Sequence, residues 1–435
     1  MNPIPYSCQT IAEADIAAVV AVLRSPFLTQ GPEVPAFEAE FAAAHGVAHA
    51  VAVSNATAAL HLGCLALGVG PESRVWTTPN SFLASANAAR YCGATVDFVD
   101  IDPLTRNLSP AALRNKLEAA ERDGTLPQVL IPVDFAGLPC DLREMRQLAD
   151  RYGFRILQDA SHATGASYLG EPVGSAWADA SVFSFHAVKV LTTAEGGMLT
   201  TPHAELAARV RRLRSHGMTR ERAELQHEPE GPWVYEQQQL GWNMRMTELQ
   251  AALGRSQLRR LGELQQQRES LAARYDVLLE ALPLKLPVRL PDRRSSWHLY
   301  AVGIDRERTP VPRAQVFDAL RAAGIGVNVH YIPIHTQPYY RALGFRPGDF
   351  PHAERWYAGA LSLPLFPTLS HAQQDHVVAA LAAALCTSVA HTTGASGGSG
   401  APDASGASRA SSSHTKPTQA AQPKPAAQPS QEALA

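Results

Sequence analysis

From about residue 48 to residue 160, short apolar runs of strand length alternate with stretches whose apolar residues recur every three or four positions. "AHAVAVS" (48–54), "ATVDFVDI" (94–101), "QVLIPVDF" (128–135) and "FRILQDA" (154–160) are β-rich, bounded by turn residues, and read as strands. "ATAALHLGCLALG" (56–68) and the segments 109–122 and 141–152 carry helical spacing. In "LSPAAL" (108–113), Ser109 is placed to cap a helix and Pro110 to open it. Strands alternating with helices predict an α/β fold, with a mainly parallel central sheet covered by helices on both faces.

Over 245–282 the pattern lengthens into one polar-faced helix, long enough to connect two domains. Beyond it, strand "HLYAVGI" (298–304), a helix over 312–323, strand "GVNVHYI" (326–332) and a helix over 371–385 predict a smaller C-terminal α/β domain. The expected organisation is a large domain over 1–255 and a small one over 256–385. The stretch 386–435 is rich in Ala, Ser, Gly, Pro and Gln and has no aromatic residue, so it is expected to be a disordered tail.

Composition narrows the function. With 46% hydrophobic residues, 18% charged residues and a net charge of −2 across 435 residues, the chain carries no global field to draw nucleic acid or an anionic membrane. The N-terminus lacks a signal-peptide pattern, and no apolar run approaches the ~20 residues of a membrane helix. Five scattered cysteines show neither CxxC nor metal-site spacing, so free thiols, no metal and a cytoplasmic setting are expected. Two glycine patterns, "GVGPES" (68–73) and "GASYLGEP" (165–172), lack the rest of a nucleotide-binding fingerprint.

Three segments carry chemistry. "VSNATAAL" (53–60) runs from a strand into a helix start, where free N–H groups and a hydroxyl make an anion site; ordinary capping by Asn55 is the commoner use of such a corner. "FRILQDASHATGA" (154–166) ends an apolar strand on Asp159, with His162 three residues on; a cap or surface turn is about as common there. In "ASVFSFHAVKVLTTAEGGMLTT" (180–201), Lys189 stands among apolar residues. A lone lysine usually snorkels to solvent, but a desolvated one has a lowered pKa and condenses with carbonyls. A phosphate cradle, an acid for a ring nitrogen and a lysine for an aldehyde, in that chain order, fit pyridoxal 5'-phosphate.

The chain resembles the DegT-like nucleotide-sugar aminotransferases, which have the fold type I of pyridoxal-phosphate-dependent transferases. The resemblance runs from about Ile4 to Leu385 and rests on "FLTQGPEVPAFEAEFA" (27–42), "SNATAALHL" (54–62), "TTPNSFLASANAARYCGA" (77–94), "DASHATGA" (159–166), "FSFHAVKVLTTAEGGM" (183–198), "GWNMRMTELQAALG" (241–254) and "HYIPIHTQPYY" (330–340). "VDFAG" (133–137), "FSFHAVK" (183–189), "RSHGM" (214–218) and "TTAEGG" (192–197), with Asp134 where many members carry His, look most like the pseudaminic acid branch, which aminates C4 of a UDP-linked 4-keto-6-deoxy-N-acetyl sugar. The resemblance implies roles. Lys189 is the covalent anchor and proton shuttle. Asp159 pairs with the ring nitrogen, His162 sits by the ring oxygen, and Phe82 stacks on the ring. The Ala56 N–H, Thr57 and Ser184 hold the phosphate, joined by Asn243 from the neighbouring subunit of a homodimer. Tyr6, Pro26, Phe27, Leu28, Thr29, His330, Tyr331, Ile332 and Pro333 line the sugar-nucleotide site. L-Glutamate is the implied amino donor. The retained Lys189 speaks against the dehydratases of the family, which carry histidine there; a non-catalytic paralogue and an aminotransferase of another ketosugar remain as alternatives.

Overall fold

The computed structural model describes residues 3–386. Seven strands form the central sheet: β1 (His49–Val53), β2 (Arg74–Thr77), β3 (Thr95–Phe98), β4 (Val129–Ile131), β5 (Arg155–Asp159), β6 (Ala180–Ser184) and β7 (Gly197–Thr201). Their spatial order is β1-β7-β6-β5-β4-β2-β3. Strand β7 pairs antiparallel with both β1 and β6, and the remaining pairs are parallel. Six of the seven carboxyl ends therefore share one edge, where ligands of such sheets collect. The strands are buried nearly throughout, as expected when both faces are covered.

The helices relevant to that edge are α1 (Glu13–Leu23), α2 (Glu33–Ala44), α3 (Ala56–Ala66), α4 (Ala84–Tyr91), α5 (Pro110–Asp123), α6 (Leu142–Tyr152), α7 (Ala204–Leu213), α8 (Glu248–Arg259) and α9 (Leu261–Leu279). Pro110 stands in the first turn of α5, and the Ser109 side chain accepts from Ala112 N–H at 3.2 Å, as the sequence predicts. Helix α3 and its neighbours bury one sheet face around Leu60, Leu62 and Leu157; Phe37, Phe41, Phe183 and Phe185 fill the other.

Two expectations need correction. The single helix over 245–282 is two helices, broken at Arg260, whose φ of −103° and ψ of 4° leave the helical region. The segment "GVNVHYI" is not a strand: Ile325 just before it bridges Ile4, Asn328 within it bridges Ser362, and His330 is buried. The C-terminal sheet has three antiparallel strands, β8 (Leu284–Lys285), β9 (Tyr300–Ile304) and β10 (Ala360–Leu363), over their own apolar core. The tail expected over 386–435 lies outside the described residues, except Cys386, which ends the helix His371–Cys386.

Strand β1 is an edge strand, so its outer polar groups need partners. Glu38 of α2 accepts from Ala52 N–H at 2.9 Å, Arg211 donates to Ala50 C=O at 3.0 Å, and Arg214 bridges Glu38 and Ala52 C=O. Glu38 is buried, and its removal strands both a buried N–H and a guanidinium. Glu38→Ala is expected to cost about 3–5 kcal/mol, read as a lowered urea midpoint. A midpoint matching wild type would show that the edge does not depend on this pair.

Candidate active site

Strand β6 delivers Ser184 to the carboxyl edge, and the chain then loops to 196 before returning as β7. The loop is closed by its own backbone. Phe185 N–H donates to Gly196 C=O at 2.9 Å, Thr193 N–H to Phe185 C=O at 2.8 Å, and Lys189 N–H to His186 C=O at 2.9 Å. Ser7 Oγ ties the N-terminal segment to Val188 C=O at 3.2 Å. Gly197 lets β7 start beneath α3: a Cβ there would sit 2.7 Å from Ala56 N.

Inside this loop Lys189 meets His298, with Nζ 3.4 Å from Nε2. Burial pulls the Lys189 amine down to about 8, against the opposing pull of the Asp159 charge. The histidines nearby stay neutral. Burial, reinforced by the Lys189 charge, holds His330 down at about 3 and pushes His162 and His298 well below the ordinary imidazole range. His330 Nδ1 lies 2.7 Å from Ser362 Oγ.

His162 is fixed as a donor. Its Nδ1 accepts from Ala136 N–H at 3.2 Å, which leaves the proton on Nε2, 3.1 Å from the Tyr331 hydroxyl. Asp159 ends β5, buried, with one carboxylate oxygen 2.6 Å from Ser85 Oγ and the other 3.1 Å from Ser161 N–H. Its charge acts on the Lys189 amine.

The structure thus gathers Lys189, Asp159, His162, His330 and Tyr331, all expected from sequence. Tyr6 joins them, with its ring 6.0 Å from that of His330, as does Phe82, exposed and 6.4 Å from the Tyr331 ring. Ala56, Thr57 and Ser184 lie around Gly197 at the same edge. Pro333 is buried and Ile332 exposed. Pro26, Phe27, Leu28 and Thr29 are exposed and held from elsewhere, through Leu28 C=O accepting from Glu248 N–H at 3.0 Å. Asn243 is exposed, next to Met244, whose C=O accepts from Ser54 N–H at 2.9 Å. Asp134 does not face the site: burial raises its carboxyl to about 7, and its oxygens accept from Cys140 N–H and Gln158. Sequence reading missed His298 and Ser85. The signal for Ser85 was its place one helical turn after Ser81, beside the aromatic Phe82; His298 gave none beyond a polar residue opening an apolar strand.

These residues fit pyridoxal phosphate. Asp159 is a buried carboxylate whose oxygens are met by Ser85 Oγ and Ser161 N–H, and a protonated ring nitrogen would give it a directly bonded cation. Ala56 and Thr57 open α3, so their N–H groups have no partner within the helix, while Asn55 caps Ala58 N–H at 2.8 Å. Asn55 thus performs the ordinary capping without using up the anion site. Among the described residues, no group of His, Cys, Asp or Glu is placed to hold a metal ion, and no helix is long and apolar enough to cross a membrane.

Known proteins match this sequence and fold. The chain is 42% identical over 381 residues to the spore coat polysaccharide biosynthesis protein SpsC of Bacillus subtilis (strain 168), covering 87% of this chain and 96% of that protein. It superposes on Helicobacter pylori PseC, an aminotransferase involved in the biosynthesis of pseudoaminic acid, with a TM-score of 0.79, 31% identity, and coverage of 88% of this chain and 99% of that one. The putative sugar aminotransferase Spr1654 from Streptococcus pneumoniae, solved in a pyridoxal-phosphate form, matches with a TM-score of 0.79, 30% identity, and coverage of 88% and 98%. The profile of the DegT/DnrJ/EryC1/StrS aminotransferase family matches residues 9–382. The protein is a pyridoxal-phosphate-dependent sugar aminotransferase, and the chain belongs to the DegT/DnrJ/EryC1/StrS aminotransferase family.

Proposed function

We propose that this enzyme transfers the amino group of L-glutamate to C4 of a UDP-linked 4-keto-6-deoxy-N-acetylhexosamine, giving the 4-amino-4,6-dideoxy-N-acetyl-β-L-altrosamine nucleotide of the pseudaminic acid route. The observation that carries the chemistry is the Lys189 amine, held at about 8 beside Asp159 and neutral histidines. Pyridoxal phosphate, when bound, supplies an aldehyde for that amine and an electron-withdrawing ring. Lys189 Nζ would take the proton from the amino acid α-carbon and deliver it to the carbon of the former aldehyde; for the ketosugar it would run the same transfers in reverse. Asp159 keeps a ring nitrogen protonated. His162 Nε2–H and the Tyr331 hydroxyl offer donors to a ring oxygen. The Ala56 N–H, Thr57 and Ser184 hold the phosphate, and Phe82 covers the ring face. Tyr6, His330 and Pro333, with the exposed Pro26–Thr29 and Ile332, bind the sugar nucleotide.

The likeness to PseC supports this sugar. The higher identity to SpsC favours a second reading, an aminotransferase of another nucleotide-linked ketosugar serving a polysaccharide. Asp134 supports neither, since the protein itself takes up its carboxylate.

Lys189→Ala is expected to lower turnover by at least about 1,000-fold, the loss of both anchor and proton carrier, with an unchanged melting temperature. Turnover within about tenfold of wild type rules out Lys189 as the anchor. Mass spectrometry of products from UDP- and dTDP-linked ketosugars with glutamate decides the substrate. Amination of the UDP-linked L-altro-series 4-ketosugar above all others is expected, and a preference for a D-series or 3-keto substrate selects the second reading.

The exposed Asn243 fits a homodimer in which each protomer completes its partner's phosphate site. A hybrid of one Lys189→Ala and one Asn243→Asp protomer then holds one pocket with both lesions and one with neither. Refolding the two inactive variants together is expected to restore activity in the hybrids, roughly half of all dimers. Hybrids as inactive as either parent would show that each protomer uses its own Asn243.

A further inference from the structure

His298 lies in "SSWHLY", 109 residues beyond Lys189, at the entry to β9. Its backbone is fixed from several sides. Ser296 N–H donates to Gly137 C=O at 3.0 Å, and Leu299 N–H to Ala136 C=O at 3.3 Å. The buried Arg268 donates to His298 C=O at 3.3 Å and to the carbonyls of Trp297 and Leu365 at 3.1 Å each. Gly137, at φ +97°, has no room for a side chain: a Cβ would stand 2.1 Å from Ser296 Oγ and 3.2 Å from His298 N. The His298 ring is buried and packs 4.4 Å from the His162 ring.

The two ring nitrogens have unlike surroundings. Nε2 faces the Lys189 amine, and Nδ1 is buried without a hydrogen-bond partner among the described residues. A buried N–H with no acceptor is rarer than an unused acceptor, so the neutral ring keeps its proton on Nε2. An Nε2–H can donate to the lone pair of a free amine, whereas it meets an ammonium group donor to donor. The other groups around the amine divide. Asp159 favours the ammonium, and the neutral His162 and His330 feel the Lys189 charge. The Tyr331 hydroxyl is held on His162 Nε2, and the Arg268 cation lies behind His298.

We propose that His298 is a positioning residue for Lys189: its Nε2–H donates to the Nζ lone pair, favouring the free amine over the ammonium and aiming it into the site. This rests on the reading of Lys189 as the amine that carries the cofactor. The role would explain why the fold fixes a histidine with one unsatisfied nitrogen against this lysine.

The test uses the apoprotein. Trace acetylation with acetic anhydride from about pH 6 to 10, followed by quantification of the peptide containing Lys189, titrates that amine without turnover. Wild type is expected to titrate at about 8. His298→Gln, which keeps an N–H near the Nε2 position, should stay close to that value. His298→Phe, which removes it, should shift upward by about one unit, roughly a tenfold loss of free amine at pH 7. An unchanged or lower value in His298→Phe overturns the proposal. Nitrogen-15 shifts of the wild-type histidines read the tautomer without any substitution: an Nε2–H ring at His298 supports the proposal, and an Nδ1–H ring overturns it. Borohydride reduction of the reconstituted wild type keeps the two readings apart. A missing pyridoxyl group on Lys189 refutes the anchor itself. A pyridoxyl group on Lys189, with an unshifted titration in His298→Phe, refutes the part given to His298 alone.

Discussion

One amine held away from water sets the terms for everything around it. A lysine in an apolar pocket cannot keep its full charge, and the depression of Lys189 to about 8 is the direct result. Burial also keeps His162, His298 and His330 neutral, and the Lys189 charge adds to it. Neutral imidazoles have a donor side and an acceptor side, and the protein fixes which is which. Ala136 N–H donates to Nδ1 of His162 and so fixes its tautomer, while the Ser362 hydroxyl, able to donate or accept, meets Nδ1 of His330. The site is therefore built from tautomers rather than from ion pairs.

The sheet explains how such a pocket is assembled from distant segments. Six strands end at one edge, and three of them supply Asn55 to Thr57, Asp159 and Ser184 within a few residues of their last pleat. The antiparallel β7 closes the Lys189 loop back onto this edge, which requires glycine at 197 because the start of α3 lies directly against it. The C-terminal sheet adds the far wall. His298 precedes β9, His330 follows the bridge from Ile4 to Ile325, and Arg268 in α9 fastens three carbonyls at the seam. A buried guanidinium with carbonyl partners costs more desolvation than a methionine would, which marks this seam as specified rather than merely filled.

The parallel sheet and the capping of α5 were legible because they depend on local periodicity and on Ser109–Pro110. Lys189 and Asp159 were legible because a charge in an apolar run contradicts its surroundings. The break at Arg260 was hidden: the apolar spacing continues through it, and only packing decides where the axis turns. "GVNVHYI" reads as a strand by its β-branched residues, yet tertiary contacts draw it into bridges and then into the site. His298 was invisible because its role lies in proximity to a residue on another element, and nothing in "SSWHLY" encodes that distance.

Asp134, distinctive in sequence as a mark of one branch of the family, has a structural part to play. Its carboxyl is buried, raised to about 7, and committed to Cys140 N–H and Gln158. Those bonds hold the 134–140 turn, and that turn carries Ala136, whose N–H sets the His162 tautomer, and Gly137, whose bare α-carbon admits His298. Asp134 thus reaches the site indirectly, through the turn that meets His162 and His298. Donors come from the Tyr331 hydroxyl, held on His162 Nε2–H, and from the first N–H groups of α3, around a single carboxylate at Asp159. That distribution suits a ligand with a phosphate and a ring oxygen to accept, and one protonated nitrogen to donate. The charges of such a ligand are met by fixed dipoles that need no reorganisation when it arrives.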